Sequence, residues 1–170
     1  VPAYAGGVSL GYQPPEQLVE EARVHVDAGY RAVKLRLGDN VKDDIARVAA
    51  VRHAFGNDLV ILTDANTGYD VKAARAVMPQ LDAYNVGWLE EPFAAHDYHS
   101  YQLAAGFGRT PLAAGENHYT RYEFQHVQAC EAITIWQPDL SKSGGLTEVL
   151  RIAAMASARK IPVHPHTSMT

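Results

Sequence analysis

Six ionisable side chains recur along this sequence at nearly even intervals: Lys34, Asp64, Glu90, Glu116, Asp139 and His166, separated by 30, 26, 26, 23 and 27 residues. Three of them, Asp64, Glu90 and Glu116, stand in LTDAN, WLEEP and AAGEN. Carboxylate oxygens are hard ligands, and with no cysteine nearby they select Mg²⁺, with Mn²⁺ as the alternative, over zinc or copper. Three protein carboxylates leave octahedral positions open for water and a bidentate substrate. Glu90 and Glu91 are adjacent, so on a strand they point to opposite sides, and parity alone does not choose between them. Asn66, two residues after Asp64 and on the same side, is placed to support the ion or a bound water.

The elements that carry these residues follow from two alternating periodicities. Short apolar, often β-branched runs read as buried strands at 1–5, 32–37, 59–63, 86–89, 111–114, 133–136 and 161–163. Amphipathic stretches lie between them, with Ile45, Val48 and Ala49 on one helical face and Leu146, Val149, Leu150 and Ala153 on another. Pro14-Pro15 before Glu16 and Gly144-Gly145 before Leu146 read as helix entries. Strand alternating with helix implies parallel βαβ units in an α/β fold, and the regular period favours a (β/α) barrel of the TIM type over an open sheet. One βα unit per step brings all six ionisable groups to the same rim, the catalytic face of such a barrel. A complete barrel takes about 250 residues. The reading is therefore an incomplete barrel of about six βα units plus a seventh strand, one domain over residues 1–170, from a longer enzyme.

Composition narrows the partners. Hydrophobic residues at 47% and charged ones at 20% belong to a globular chain and exclude disorder. The single cysteine, Cys130, cannot make an internal disulfide, which favours a reducing cytoplasm, and its place late in a helix reads as apolar filler. A net charge of -4 gives no broad attraction to nucleic acid or anionic lipid, and no apolar run approaches the about 20 residues of a membrane span. Gly6-Gly7 and Gly144-Gly145 fit no phosphate-binding pattern. His96, Asp97, Tyr98 and His99 read as a solvated polar loop. The expected partner is a small molecule.

KLRLG (34–38), TDAN (63–66), WLEEP (88–92), AGEN (114–117), QPDLSKSGG (137–145) and IPVHPH (161–166) together resemble the enolase superfamily. More narrowly, they look like its mandelate racemase subgroup of acid-sugar dehydratases and racemases. The resemblance implies Asp64, Glu90 (the first of the pair) and Glu116 as metal ligands, with Mg²⁺ as cofactor. It also implies a homo-oligomer and an N-terminal capping domain that closes over the substrate, which this chain does not include, nor the last barrel strand.

Members of that superfamily abstract the proton α to a carboxylate, giving an ene-diolate whose charge a divalent cation and a lysine must offset. The resemblance gives Lys34 the second task and makes His166 the base, held in one tautomer by Asp139. His164, two residues earlier, points one layer deeper. Lys142, in SKSGG, matches the family pattern and is placed to pair with an acid on a neighbouring strand. Arg36 departs from the commoner Lys-x-Lys: a guanidinium stays charged and makes a poor base, though its planar fork suits a carboxylate or hydroxyl. With one competent base, the leading expectation is a Mg²⁺-dependent dehydratase of a polyhydroxylated sugar acid, giving a 2-keto-3-deoxy product. The alternatives are a racemase or epimerase of a 2-hydroxy acid and, outside the enzymes, an inactive metal-binding barrel fragment.

Overall fold

In the computed structural model, residues 3–6 and 10–167 are described. Five parallel strands, β1 (Ala32–Arg36), β2 (Val60–Asp64), β3 (Leu89–Glu90), β4 (Leu112–Ala114) and β5 (Ile133–Trp136), pair in sequence order. Six helices connect and flank them: α1 (Pro15–Asp27), α2 (Val41–Phe55), α3 (Val71–Ala83), α4 (Tyr98–Ala104), α5 (Thr120–Cys130) and α6 (Leu146–Ala158). This is the expected α/β architecture, an incomplete (β/α) barrel. The outer strands are slighter than expected. Among the described residues, Ala5 makes one parallel bridge, to Val33, and the run at 161–163 one bridge, Trp136 to Val163, followed by Asp139 to His166. Val1, Pro2 and Gly7 lie outside the described residues, as does the end of the chain from Ser168.

Alternation along the strands divides the side chains between two sides. Val33, Leu35, Ile61, Leu89 and Leu112 join the large core beneath the helices. Leu62, Trp88, Ala113 and Ile135 form a separate small cluster with Tyr4 on the inner side. Lys34 falls between two helix-facing residues, Asp64 comes two after Leu62, and Glu90 two after Trp88. All three therefore project inward, on the same side as that apolar cluster. Strand register aligns their ends, pairing Arg36 with Asp64 and Asp64 with Glu90.

The helices start where the sequence caps them. Asn40, Asp70 and Asp97 each accept a hydrogen bond from the backbone N–H three residues on, worth about 1 kcal/mol apiece. Pro14 and Gly145 are N-caps, as the entries Pro14-Pro15 and Gly144-Gly145 implied. Capping by Asp97 corrects one expectation, because Tyr98 and His99 open α4 rather than extend a loop. A second correction concerns α6. Its apolar face was expected to include Leu146 and Leu150, yet these are 64% and 61% exposed, and Val149, Ile152 and Ala156 are buried with Glu148. Glu148 is accommodated because its carboxylate accepts from the Arg121 backbone and guanidinium and from Arg151. Cys130 is buried at the end of α5 as expected. Gly115 has φ of +151°, and a Cβ there would lie 2.6 Å from the Gln137 backbone, so the turn into Glu116 admits only glycine.

Candidate active site

Lys34 is the centre of the first half of the site. Its Nζ lies 2.8 and 2.9 Å from the two oxygens of Glu90 and 3.2 Å from Asp64 Oδ2. Burial opposes the ammonium charge, but Glu90 and then Asp64 outweigh it and hold the Lys34 pKa above its ordinary range. Glu90 Oε2 also accepts from Gln137 Nε2 at 2.7 Å and from the Trp88 indole at 3.3 Å. Glu90 therefore faces inward, the choice that strand parity left open. Arg36 NH1 reaches Asp64 Oδ2 at 3.1 Å, so this residue is engaged by a carboxylate of the protein itself. Asn66 supports Asp64 through its backbone N–H, at 2.9 Å from Oδ1, while its side chain is exposed rather than placed on the cluster.

The second half is built around His166. Its Nδ1 is 2.7 Å from Asp139 Oδ2, and its Nε2 is 2.7 Å from Glu116 Oε2. Asp139 Oδ1 accepts from the backbone N–H groups of Ser141 and Lys142 at 2.7 and 2.9 Å. The hydrogen bond from the imidazole to Glu116 is the largest influence on His166, followed by opposing burial and the Asp139 bond, and the net effect raises its pKa. Burial pushes Glu116 up, but His166 outweighs it and the carboxyl stays below its ordinary value. The signs fix a pH window. A raised histidine stabilises below its unfolded value of 6.5 and loses that contribution as pH rises through the folded value. A lowered glutamate stabilises above 4.5 and loses it as pH falls through its folded value. In EDTA, the His166–Glu116 contact should stabilise the protein most between pH 4.5 and 6.5. Denaturant titrations of wild type against His166→Asn check this; parallel pH profiles would remove the contact from solution.

His164 lies deeper, its ring 5.0 Å from Trp88, and burial lowers its pKa, as its position below the rim implied. Lys142 Nζ is 3.0 Å from Asn117 Oδ1 and 3.9 Å from Glu116 Oε1, the neighbouring-strand acid expected for it. Glu91 turns away from the Lys34 cluster. Its φ of +38° is a left-handed conformation costing about 1–3 kcal/mol for a non-glycine residue. Burial, and then Glu116, raises its carboxyl to about 7. Sequence reasoning missed Gln137, Trp88, Asn117 and the buried His118, whose Nε2 meets the Ala95 carbonyl at 3.0 Å. Gln137 was legible in principle, because it precedes Asp139 by two and shares its side of the chain.

The donor set suits a hard divalent cation. Glu90, Glu116 and His166 each offer a ligand atom within 4.8 Å of the others, and Asp64 joins Glu90 through the shared Lys34 ammonium. Carboxylates predominate and Cys130, the sole cysteine, lies at the far end of α5.

The family model described as Enolase C-terminal domain-like matches residues 17–170. The chain belongs to the enolase superfamily. Among solved enolase-superfamily structures, a member from Polaromonas sp. JS666 shares 54% identity and a TM-score of 0.98, covering 100% of this chain and 46% of its own. L-talarate dehydratase from the same organism, complexed with Mg and L-glucarate, shares 30% identity and a TM-score of 0.90 over 99% of this chain and 48% of its own. A curated relative, the D-galactonate dehydratase of Verminephrobacter eiseniae, is 38% identical over 166 residues, covering 92% of this chain and 44% of the dehydratase. The chain thus spans less than half the length of these relatives. Among the described residues, no helix is long and apolar enough to cross a membrane.

Proposed function

We propose that the protein carrying this chain is a divalent-metal-dependent dehydratase of a sugar acid, with residues 1–170 as part of its catalytic barrel and the capping domain outside them. The observation that carries the reading is the pairing of two half-sites across Glu116: a carboxylate cluster suited to a hard cation and one carboxylate-oriented histidine. The dehydratase names among the relatives support it. Asp64, Glu90 and Glu116 would hold Mg²⁺, or Mn²⁺ in its place. When bound, the cation supplies a Lewis acid that polarises the substrate carboxylate.

The chain's own residues do the rest. His166 Nε2 takes the proton α to the carboxylate, while Asp139 keeps the proton of Nδ1 in place. Lys34 Nζ offsets the negative charge that develops on a carboxylate oxygen. The protonated His166 then returns its proton to the β-hydroxyl, which leaves as water, and the enol left behind tautomerises to the 2-keto-3-deoxy acid. Racemisation is the lesser reading because Arg36 stands where a second base would act and is paired with Asp64. A cytoplasmic location and assembly from identical copies complete the proposal.

The test is a library of sugar acids in D₂O with Mg²⁺, following keto-acid formation and deuterium in recovered substrate. Keto acid is expected from at least one polyhydroxylated acid. Inverted, labelled substrate without keto acid would replace dehydration by racemisation, and no turnover with intact metal binding would favour an inert barrel. Asp64→Asn should weaken Mn²⁺ by more than the about 10–100-fold that loss of a supporting group costs, read by calorimetry.

A further inference from the structure

Behind the two half-sites runs a third line of contacts. Glu91 is 1% exposed, and its Oε2 accepts from Asn117 Nδ2 at 2.7 Å, while its Oε1 is buried with no hydrogen-bond partner among the described residues. Its left-handed backbone is held from both sides, by its N–H to the Ala113 carbonyl at 2.9 Å and by the Thr67 N–H to its own carbonyl at 2.7 Å. The Asn117 amide is thereby oriented: its NH₂ faces Glu91, and its oxygen accepts from Lys142 Nζ at 3.0 Å. Lys142 in turn meets both acids that hold His166, Glu116 through its ammonium at 3.9 Å and Asp139 through its backbone N–H. A lysine has four rotatable bonds, and the Lys142 side chain is 30% exposed, so without the amide oxygen its ammonium would spread over many rotamers.

We propose that Glu91 is a positioning residue for the reaction: through Asn117 it fixes the Lys142 ammonium, which braces Glu116 beside His166. The strained turn after β3 is the structural cost of bringing that carboxylate to the amide. The inference rests on the reading of His166 as base and Glu116 as metal ligand.

The experiment compares Glu91→Ala, Glu91→Gln, Lys142→Met and the double variant Glu91→Ala/Lys142→Met in the intact protein. Glu91→Ala is expected to lower kcat about 10–100-fold with KM changed by less than about threefold, and to weaken Mn²⁺ binding in calorimetry. Glu91→Gln keeps an oxygen that accepts from Asn117 and should recover most of both losses. The double variant should be no slower than Lys142→Met alone, because both act through one chain of contacts. A structural Glu91 would lower the unfolding midpoint while leaving kcat of the folded enzyme intact; that result, or additive losses, overturns the proposal. If Glu91→Ala aggregates, Asn117→Ala breaks the same chain one link on and carries the same expectations. Wild-type protein that binds no metal and moves no α-proton defeats the functional reading and this inference together. Active wild type beside a fully active Glu91→Ala defeats this inference alone.

Discussion

His166→Asn should lower kcat on the best sugar acid by about 10²–10⁴-fold, the usual contribution of a positioned general base. Asparagine approximates the ring's size and keeps a polar atom near Asp139, but it cannot take a proton. Beyond Glu116, the site stays assembled: Asp139 retains the backbone N–H groups of Ser141 and Lys142, and Lys34 is held by Glu90 and Asp64. Glu116 loses a partner at 2.7 Å but keeps Lys142, so Mn²⁺ affinity should fall less than in Asp64→Asn while turnover is lost, which separates a chemical role from a structural one. Exchange of the substrate α-proton with D₂O is the sharper readout, since it isolates the step assigned to this residue. Wild-type exchange in the variant would remove His166 from the mechanism.

Lys34→Met should cost about 3–5 kcal/mol of stability in EDTA at neutral pH, the usual penalty for removing one partner of a buried ion pair. The Lys34 side chain is 7% exposed, and its partners Glu90 and Asp64 are 1% and 3% exposed. Without the ammonium, among the described residues Glu90 keeps the neutral donors Gln137 and Trp88, and Asp64 keeps Arg36 and one backbone N–H. A divalent cation at the same oxygens supplies the lost charge. Mg²⁺ at about 100 times its Kd stabilises any protein that binds it only when folded by about 2.7 kcal/mol. The variant should gain more from Mg²⁺ than wild type does, because the resident ammonium no longer competes for those oxygens. Equal Mg²⁺ responses in the two proteins would place the cation elsewhere. Turnover should not return with stability, since no group replaces Lys34 at the substrate carboxylate.

The rim residues were legible in sequence because each βα unit repeats one geometric step, so regular spacing translates into a common end of the sheet. Asp64, Glu90, Asp139 and His166 are where that step puts them. What spacing does not carry is which side of a strand faces inward. Glu90 and Glu91 differ by one residue, and only the inner cluster of Leu62, Trp88, Ala113 and Ile135 shows that Glu90 shares the interior. The run at 161–163 was over-read for a related reason: it satisfies strand propensity, but among the described residues it makes a single bridge, to Trp136. On α6 the apolar pattern misled because Glu148 is buried by its bonds to Arg121 of α5 and to Arg151 one turn on, and the first is a pairing between helices that local hydropathy does not register. His118 gave no signal at all, being neither in a motif nor in the repeating series.

The hydrogen bond from the Trp88 indole to Glu90 gives the pocket its own optical reporter. Only two tryptophans occur in the chain, and the other, Trp136, is packed against Phe124 in the helix-side core. Steady-state emission excited at the indole band thus contains one component that senses the charge on Glu90 and one that is a constant background. Of these two indoles, the first alone should respond when an ion, a substrate or an inhibitor is titrated in, so occupancy can be followed in a cuvette without labels or turnover.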